Sequence, residues 1–190
     1  MIDKAFIDSH IEELIDCVNK ASKEIINVYE GDDFGHIEKS DGSPLTIADK
    51  NANQVILDEL KSISSDISII SEETFENNQL KNLDKTYWLV DPLDGTKEFI
   101  NKTDEFTVNI ALIDNKQAIF GIVAAPVTRK VWYGSVFDKN ITEEGSVDKI
   151  RIVMSKSHKS ENDKAFLEFI DSKNINYEII EKGSSLKLCS

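Results

Sequence analysis

Asp91 and Asp94 stand three residues apart in the run Tyr87-Trp88-Leu89-Val90-Asp91-Pro92-Leu93-Asp94-Gly95-Thr96, at the end of a short apolar stretch. Two carboxylates at that spacing, just past a buried strand, can converge on one point in space. Pro92 between them fixes φ and carries no N–H, so the chain is expected to leave the sheet there. Gly95 lets a ligand approach the backbone without a Cβ in the way. Thr96 adds a hydroxyl, and residues 96–100 are expected to open a helix whose free N–H groups favour an anion. Carboxylates for a hard cation beside donors for a phosphate are the parts of a metal-dependent phosphatase. Asp-Pro and Asp-Gly are also ordinary turn dipeptides. The six residues together, directly after an apolar strand, are what lift the run above a turn.

A second acidic cluster, Ser71-Glu72-Glu73-Thr74, follows a short strand expected at 67–70. Paired glutamates after a strand usually face solvent. If the two strands are neighbours, however, Glu72 or Glu73 meets Asp91 and Asp94 at one end of a sheet. Three carboxylates without a cation repel one another; with Mg²⁺ they make an oxygen-only site. A further carboxylate, Asp49, has two readings that spacing does not separate. Thr46-x-x-Asp49 has the spacing of a capping box, and an acid in a first helical turn suits the dipole. A catalytic role for Asp49 is equally compatible.

These groups need elements to hold them. Ile7, Ile11, Leu14, Ile15, Val18, Ala21, Ile25 and Ile26 recur at spacings of three and four, which predicts an amphipathic helix over 3–29, stopped by the glycines at 31 and 35. The loop 39–45 is polar, and a second helix begins at Thr46 with Ala48, Ala52, Val55, Ile56 and Leu60 inward. From Phe106 the pattern predicts a β-meander: strands over 106–113, 117–125 and 130–136. A strand over 149–154, a helix over 162–171 and a strand over 177–180 follow, with the subdomain boundary expected in the loop 138–147. Trp132 and Tyr133 read as sheet residues, and His10 and His36 as surface residues.

Composition bounds the function. The 190 residues, 40% hydrophobic and 30% charged, are enough for one substantial core. With 35 acidic against 22 basic residues the net charge is −13 and no basic stripe offsets phosphate charge, which argues against long nucleic acids as partners. A small phosphorylated substrate would be repelled at long range unless cations reversed the field locally. Cys17 and Cys189 make neither a disulfide framework nor a metal-ligand spacing, and Cys17 is expected to be packing. No apolar run approaches membrane-spanning length, and the N-terminus lacks a signal peptide's apolar stretch. The expected location is the cytoplasm, with peripheral attachment to the cytoplasmic face of the inner membrane as its variant.

With these residues collected, the chain resembles the inositol monophosphatase superfamily of magnesium-dependent phosphatases, and within it the 3′(2′),5′-bisphosphate nucleotidase branch of the CysQ type. KSDGSPLTIAD at 39–49, SEE at 71–73 and WLVDPLDGTKEFI at 88–100 carry the resemblance, with EFTVNIALI after them. It implies an α+β fold of layered αβαβα sugar-phosphatase type. Residues 1–140 would form the N-terminal metal-binding subdomain, and 141–190 the start of an incomplete C-terminal α/β subdomain. It implies two or more Mg²⁺ ions, held by Glu72, Asp91, Asp94 and the carbonyl of Leu93. It makes Asp49 and Thr96 the pair that orients and deprotonates the attacking water, which settles the Asp49 question towards catalysis. Gly95, Thr96, Ser157, His158, Ser184 and Lys187 would face the substrate.

The activity implied is hydrolysis of adenosine 3′,5′-bisphosphate to AMP and phosphate, within sulfur assimilation and nucleotide recycling. Inositol 1-phosphate or another small sugar phosphate is the rival substrate. The family continues into a Trp-Asp motif whose aspartate completes the second metal site, and neither Trp88 nor Trp132 is followed by aspartate. A third reading is therefore a non-catalytic remnant or half of a split enzyme. Partners expected on this basis are a homodimer mate or a complementing C-terminal fragment, and sheet strands left with exposed edges and apolar faces.

Overall fold

The computed structural model of the chain describes residues 2–31, 34–35, 37–38, 44–75, 84–138, 149–156 and 160–189, without the side chains of 37, 38 and 44. Helix α1 (Lys4–Tyr29) buries Ile7, Leu14, Cys17, Val18, Ala21 and Ile25, the stripe its sequence period demands. Asp3 caps it by accepting a hydrogen bond from the Phe6 N–H at 3.0 Å. A short hairpin, β1 (Ile37–Glu38) and β2 (Pro44–Leu45), leads into α2 (Ile47–Ile63), which packs alongside α1. Strand β3 (Ser68–Ser71) and a single 3₁₀ turn at Glu72–Thr74 follow.

Strand β4 (Thr86–Asp94) and the short helix α3 (Thr96–Ile100) precede the meander β5 (Thr107–Asp114), β6 (Gln117–Ala125) and β7 (Lys130–Ser135). The five strands β3-β4-β5-β6-β7 form one sheet in that order, parallel between β3 and β4 and antiparallel elsewhere. Side chains alternate across a strand. One face therefore carries Trp88, Val90, Val108, Ile110, Leu112, Phe120, Ile122 and Ala124 and is covered by α1 and α2. Trp88 is fully buried there, and its indole N–H donates to Ser64 Oγ at 2.9 Å. The opposite face is open among the described residues: Leu89 is 44% exposed beside a cleft of about 560 Å³ that runs over Ala111, Gly121 and Val123.

Strand β8 (Ile150–Ser155), α4 (Glu161–Ser172) and β9 (Tyr177–Lys182) make a parallel β-α-β unit, followed by a 3₁₀ segment at Ser185–Cys189. The mixed helix and sheet content is the α+β class expected. The subdomain boundary near 138–147 lies almost wholly outside the described residues, as do His36 and the loop 39–43. Cys17 is buried and its thiol is pushed up to about 12 by desolvation, as a packing residue requires. His10 is half-buried rather than on the surface, its ring 4.5 Å from that of Phe6 and its Nδ1 2.7 Å from the Phe6 carbonyl. No helix among the described residues is long and apolar enough to cross a membrane.

Pro92 does not take the chain out of the sheet. β4 runs on to Asp94, and the pairing shifts between Asp91, opposite Asn109, and Asp94, opposite Thr107. Three steps along β4 match two along β5, so the strand bulges there. Pro92 sits within that irregularity, where a missing N–H removes no ladder hydrogen bond.

Candidate active site

The parallel register carries β3 and β4 to a common end, with Ser71 opposite Val90, so the residues that follow, Glu72 and Asp91, emerge side by side. Ser71 is fixed by donating its hydroxyl to Asn53 Oδ1 of α2 at 2.5 Å, both side chains being buried. Asp91 shares a side-chain hydrogen bond with Glu72, and its Oδ1 is buried with no hydrogen-bond partner. Its carboxyl is pushed up to about 8, first by desolvation, then by the charges of Glu72 and Asp94; a hydrogen bond with the Leu93 backbone pulls the other way. Asp94 is also raised by desolvation, opposed by a hydrogen bond from the Ser185 N–H at 2.5 Å and by the Lys187 charge.

On the other side of the bulge, Thr96 Oγ1 lies 3.3 Å from Asp49 Oδ1 and 3.2 Å from the carbonyl of Leu93. One hydroxyl proton serves only one of these acceptors at a time. Asp49 is buried, and its Oδ2 accepts from the Thr46 N–H at 2.7 Å and the Thr46 hydroxyl at 2.6 Å. The capping box is thus present, and it occupies one carboxylate oxygen while the other reaches Thr96. The two readings of Asp49 are not alternatives in space.

Gly95 has φ +93°, and an added Cβ would lie 3.0 Å from the Glu105 carbonyl oxygen and 3.1 Å from Ser184 Cβ. Glycine is required there on both counts. Ser184 is buried against it, whereas Ser185, which sequence reasoning passed over, turns towards the acidic cluster. Ser185 Oγ donates to Asn109 Oδ1 at 2.7 Å and lies 2.7 Å from Thr107 Oγ1. Glu105 was also missed. It accepts from the Gly183 N–H at 3.0 Å and from Lys156 Nζ at 3.4 Å, tying the turn after β9 to the loop before β5. No local pattern marks Ser185, Asn109 or Glu105, because only the fold brings residues 76 to 91 positions apart together. Ser157 and His158 lie outside the described residues.

Among the described residues no three His, Cys, Asp or Glu side chains close a ready-made metal cage. Glu72 and Asp91 form a pair, and Asp94 lies beside them with one oxygen held by Ser185. The donors still fit a divalent cation. All are oxygens, like charges crowd together, and one buried carboxylate oxygen has no partner.

The profile described as the Inositol monophosphatase family matches residues 8–189. The chain belongs to that family. Within it, the chain is 38% identical over 189 residues to the 3′(2′),5′-bisphosphate nucleotidase CysQ of Escherichia coli (strain K12), covering 94% of this chain and 75% of that relative. The CysQ nucleotidase of Salmonella typhimurium is similar to the same degree, 38% over 189 residues. Among solved structures, CysQ from Bacteroides thetaiotaomicron, a bacterial member of the inositol monophosphatase family, superposes with a TM-score of 0.78 at 32% identity, over 95% of this chain and 75% of that one. A Thermotoga maritima IMPase superposes with a TM-score of 0.72 at 20% identity, over 94% of this chain and 70% of that one, a likeness of fold.

Proposed function

We propose that the chain is a magnesium-dependent 3′(2′),5′-bisphosphate nucleotidase that removes a phosphoryl group from adenosine 3′,5′-bisphosphate, leaving AMP and phosphate. The observation that carries this reading is the buried, unpartnered Oδ1 of Asp91 against Glu72, with the Asp49–Thr96 pair on the far side of one bulge. The CysQ relatives support the nucleotide over an inositol phosphate as substrate.

Glu72, Asp91, Asp94 and the Leu93 carbonyl would hold the cations. Bound there, Mg²⁺ supplies neutralising charge to the phosphoryl oxygens and acidifies the attacking water. The chain's own contribution is proton handling and placement. Thr96 Oγ1 can take a proton from that water at a free lone pair while passing its own to Asp49 Oδ1. Thr46 keeps the other Asp49 oxygen occupied, so the receiving oxygen stays aimed at Thr96. The backbone N–H groups of Gly95 and Thr96, at the start of α3, would hold phosphate oxygens. No His or Cys stands beside the carboxylates in the DPLDGT run, so direct attack by water is the simplest route.

The test is phosphate release by the purified chain with Mg²⁺, comparing adenosine 3′,5′-bisphosphate with inositol 1-phosphate. A clear preference for the bisphosphate is expected. The assay is repeated with a complementing C-terminal segment from a nucleotidase relative, since the resemblance implies a third metal-binding aspartate beyond the matched motifs. Release of phosphate from neither substrate under either condition would refute the proposal.

A further inference from the structure

A second cavity, of about 380 Å³, opens between α1 and the turn joining β6 to β7, and it shares no lining residue with the acidic cluster. One face of α1 supplies Asn19, Ser22, Lys23 and Ile26, residues at i, i+3, i+4 and i+7. The turn supplies Arg129, and Lys130 follows it as the first residue of β7. Three cationic side chains therefore border one hollow in a chain whose net charge is −13.

Their surroundings set them apart from neighbouring lysines. Lys20, on the adjoining turn of α1, is held by Asp16 at 2.8 Å and Glu59 at 2.9 Å. Among the described residues no ion pair engages Lys23, Arg129 or Lys130. With 35 carboxylates against 22 basic residues, three cations around one hollow with no ion pair among the described residues run against the general bias of the surface. All three side chains are exposed at the rim of the hollow, where an anion can reach them from solvent. The turn is also built rather than loose: the Arg129 N–H donates to the Ala125 carbonyl at 2.8 Å, and Arg129 itself is held at φ +57°, an unfavourable region for a non-glycine residue.

We propose that this cavity is a second anion site that takes a small organic phosphate. Lys23, Arg129 and Lys130 supply charge to the phosphoryl oxygens, with Arg129 offering a planar fork that two of them can share. Asn19 adds a neutral donor, and Ile26 supplies an apolar wall for the carbon part of the ligand. The volume lies within the range of small-molecule sites.

The experiment is a calorimetric titration of the full chain, stripped of divalent cations on a chelating resin, with adenosine 5′-phosphate and separately with inorganic phosphate. Saturable binding of adenosine 5′-phosphate is expected in the parent and in Asp91→Asn, which disables the proposed metal site. It should weaken by roughly tenfold or more in the triple variant Lys23→Gln/Arg129→Gln/Lys130→Gln and fall with added NaCl. Tighter binding of the nucleotide than of inorganic phosphate marks an organic phosphate site; equal binding overturns that part of the assignment. The single variant Lys130→Gln, with a melting temperature matching the parent, guards against loss through misfolding and should weaken binding by about two- to fivefold. Binding by the triple variant equal to the parent's, or no saturable binding by the parent at about 10 mM ligand, a concentration some 10⁴-fold above typical micromolar affinity, would overturn the proposal. Mg²⁺-dependent phosphate release is expected to survive in the triple variant, so failure here is separable from failure of the nucleotidase reading.

Discussion

Replacing Asp91 with asparagine in the cation-free chain should raise its stability at neutral and alkaline pH while abolishing its response to Mg²⁺. The folded chain holds the Asp91 carboxyl at about 8 against an ordinary value of 3.8. Between those limits the folded state carries more protons than the unfolded state, so stability falls as pH rises through that window and levels off above it. One pH unit of separation corresponds to about 1.4 kcal/mol, which sets a ceiling of roughly 6 kcal/mol. Glu72 is solvent-exposed, and screening of its charge reduces the gain to something on the order of 2–4 kcal/mol at pH 8. Asparagine matches the shape without the charge, and its amide can donate to Glu72. For a chain of this length that gain is a rise in melting temperature of about 5–15 °C at pH 8, shrinking towards zero at pH 4. Thermal unfolding of parent and variant across that range, with chelating resin and then with added Mg²⁺, reads both effects. A variant less stable than the parent at pH 8 without cation, or a difference that does not change with pH, would refute the reasoning.

Two further substitutions separate the roles around the bulge. Thr96→Val removes the hydroxyl between Asp49 and Leu93 while keeping the side-chain volume; kcat is expected to fall by roughly 10²–10⁴-fold, the size of a general-base contribution, with KM nearly unchanged. Gly95→Ala drives a Cβ to 3.0 Å from the Glu105 carbonyl at φ +93°, so chemical denaturation should show a loss of about 1–3 kcal/mol and activity should fall with it. A Gly95→Ala chain as stable and active as the parent would show that the turn after β9 does not pack as described.

Much of this architecture is legible in the residues because single faces are buried. The three-and-four spacing of α1 and the alternation through β5 and β6 each expose one pattern to one core, and their limits fall within a residue or so of the expected ones. Pro92 misleads for a physical reason: proline breaks a regular ladder, but a bulge tolerates it, and β4 continues to Asp94. The Asp49 ambiguity is genuine at the level of spacing, since a carboxylate has two oxygens and the fold uses one for the cap and one for Thr96. Ser185 and Glu105 could not be read at all. Their partners are 91 and 78 residues away in the chain, a distance over which no local preference carries information.

The account stands or falls on cation binding by Glu72, Asp91 and Asp94. Mn²⁺, a paramagnetic stand-in for Mg²⁺ with the same taste for oxygen ligands, can be counted on the chain by electron paramagnetic resonance. Saturable binding of at least one ion by the parent is expected, with the bound signal lost in Asp91→Ala. Parent-like Mn²⁺ binding in that variant, or an absence of bound Mn²⁺ in the parent, would contradict it.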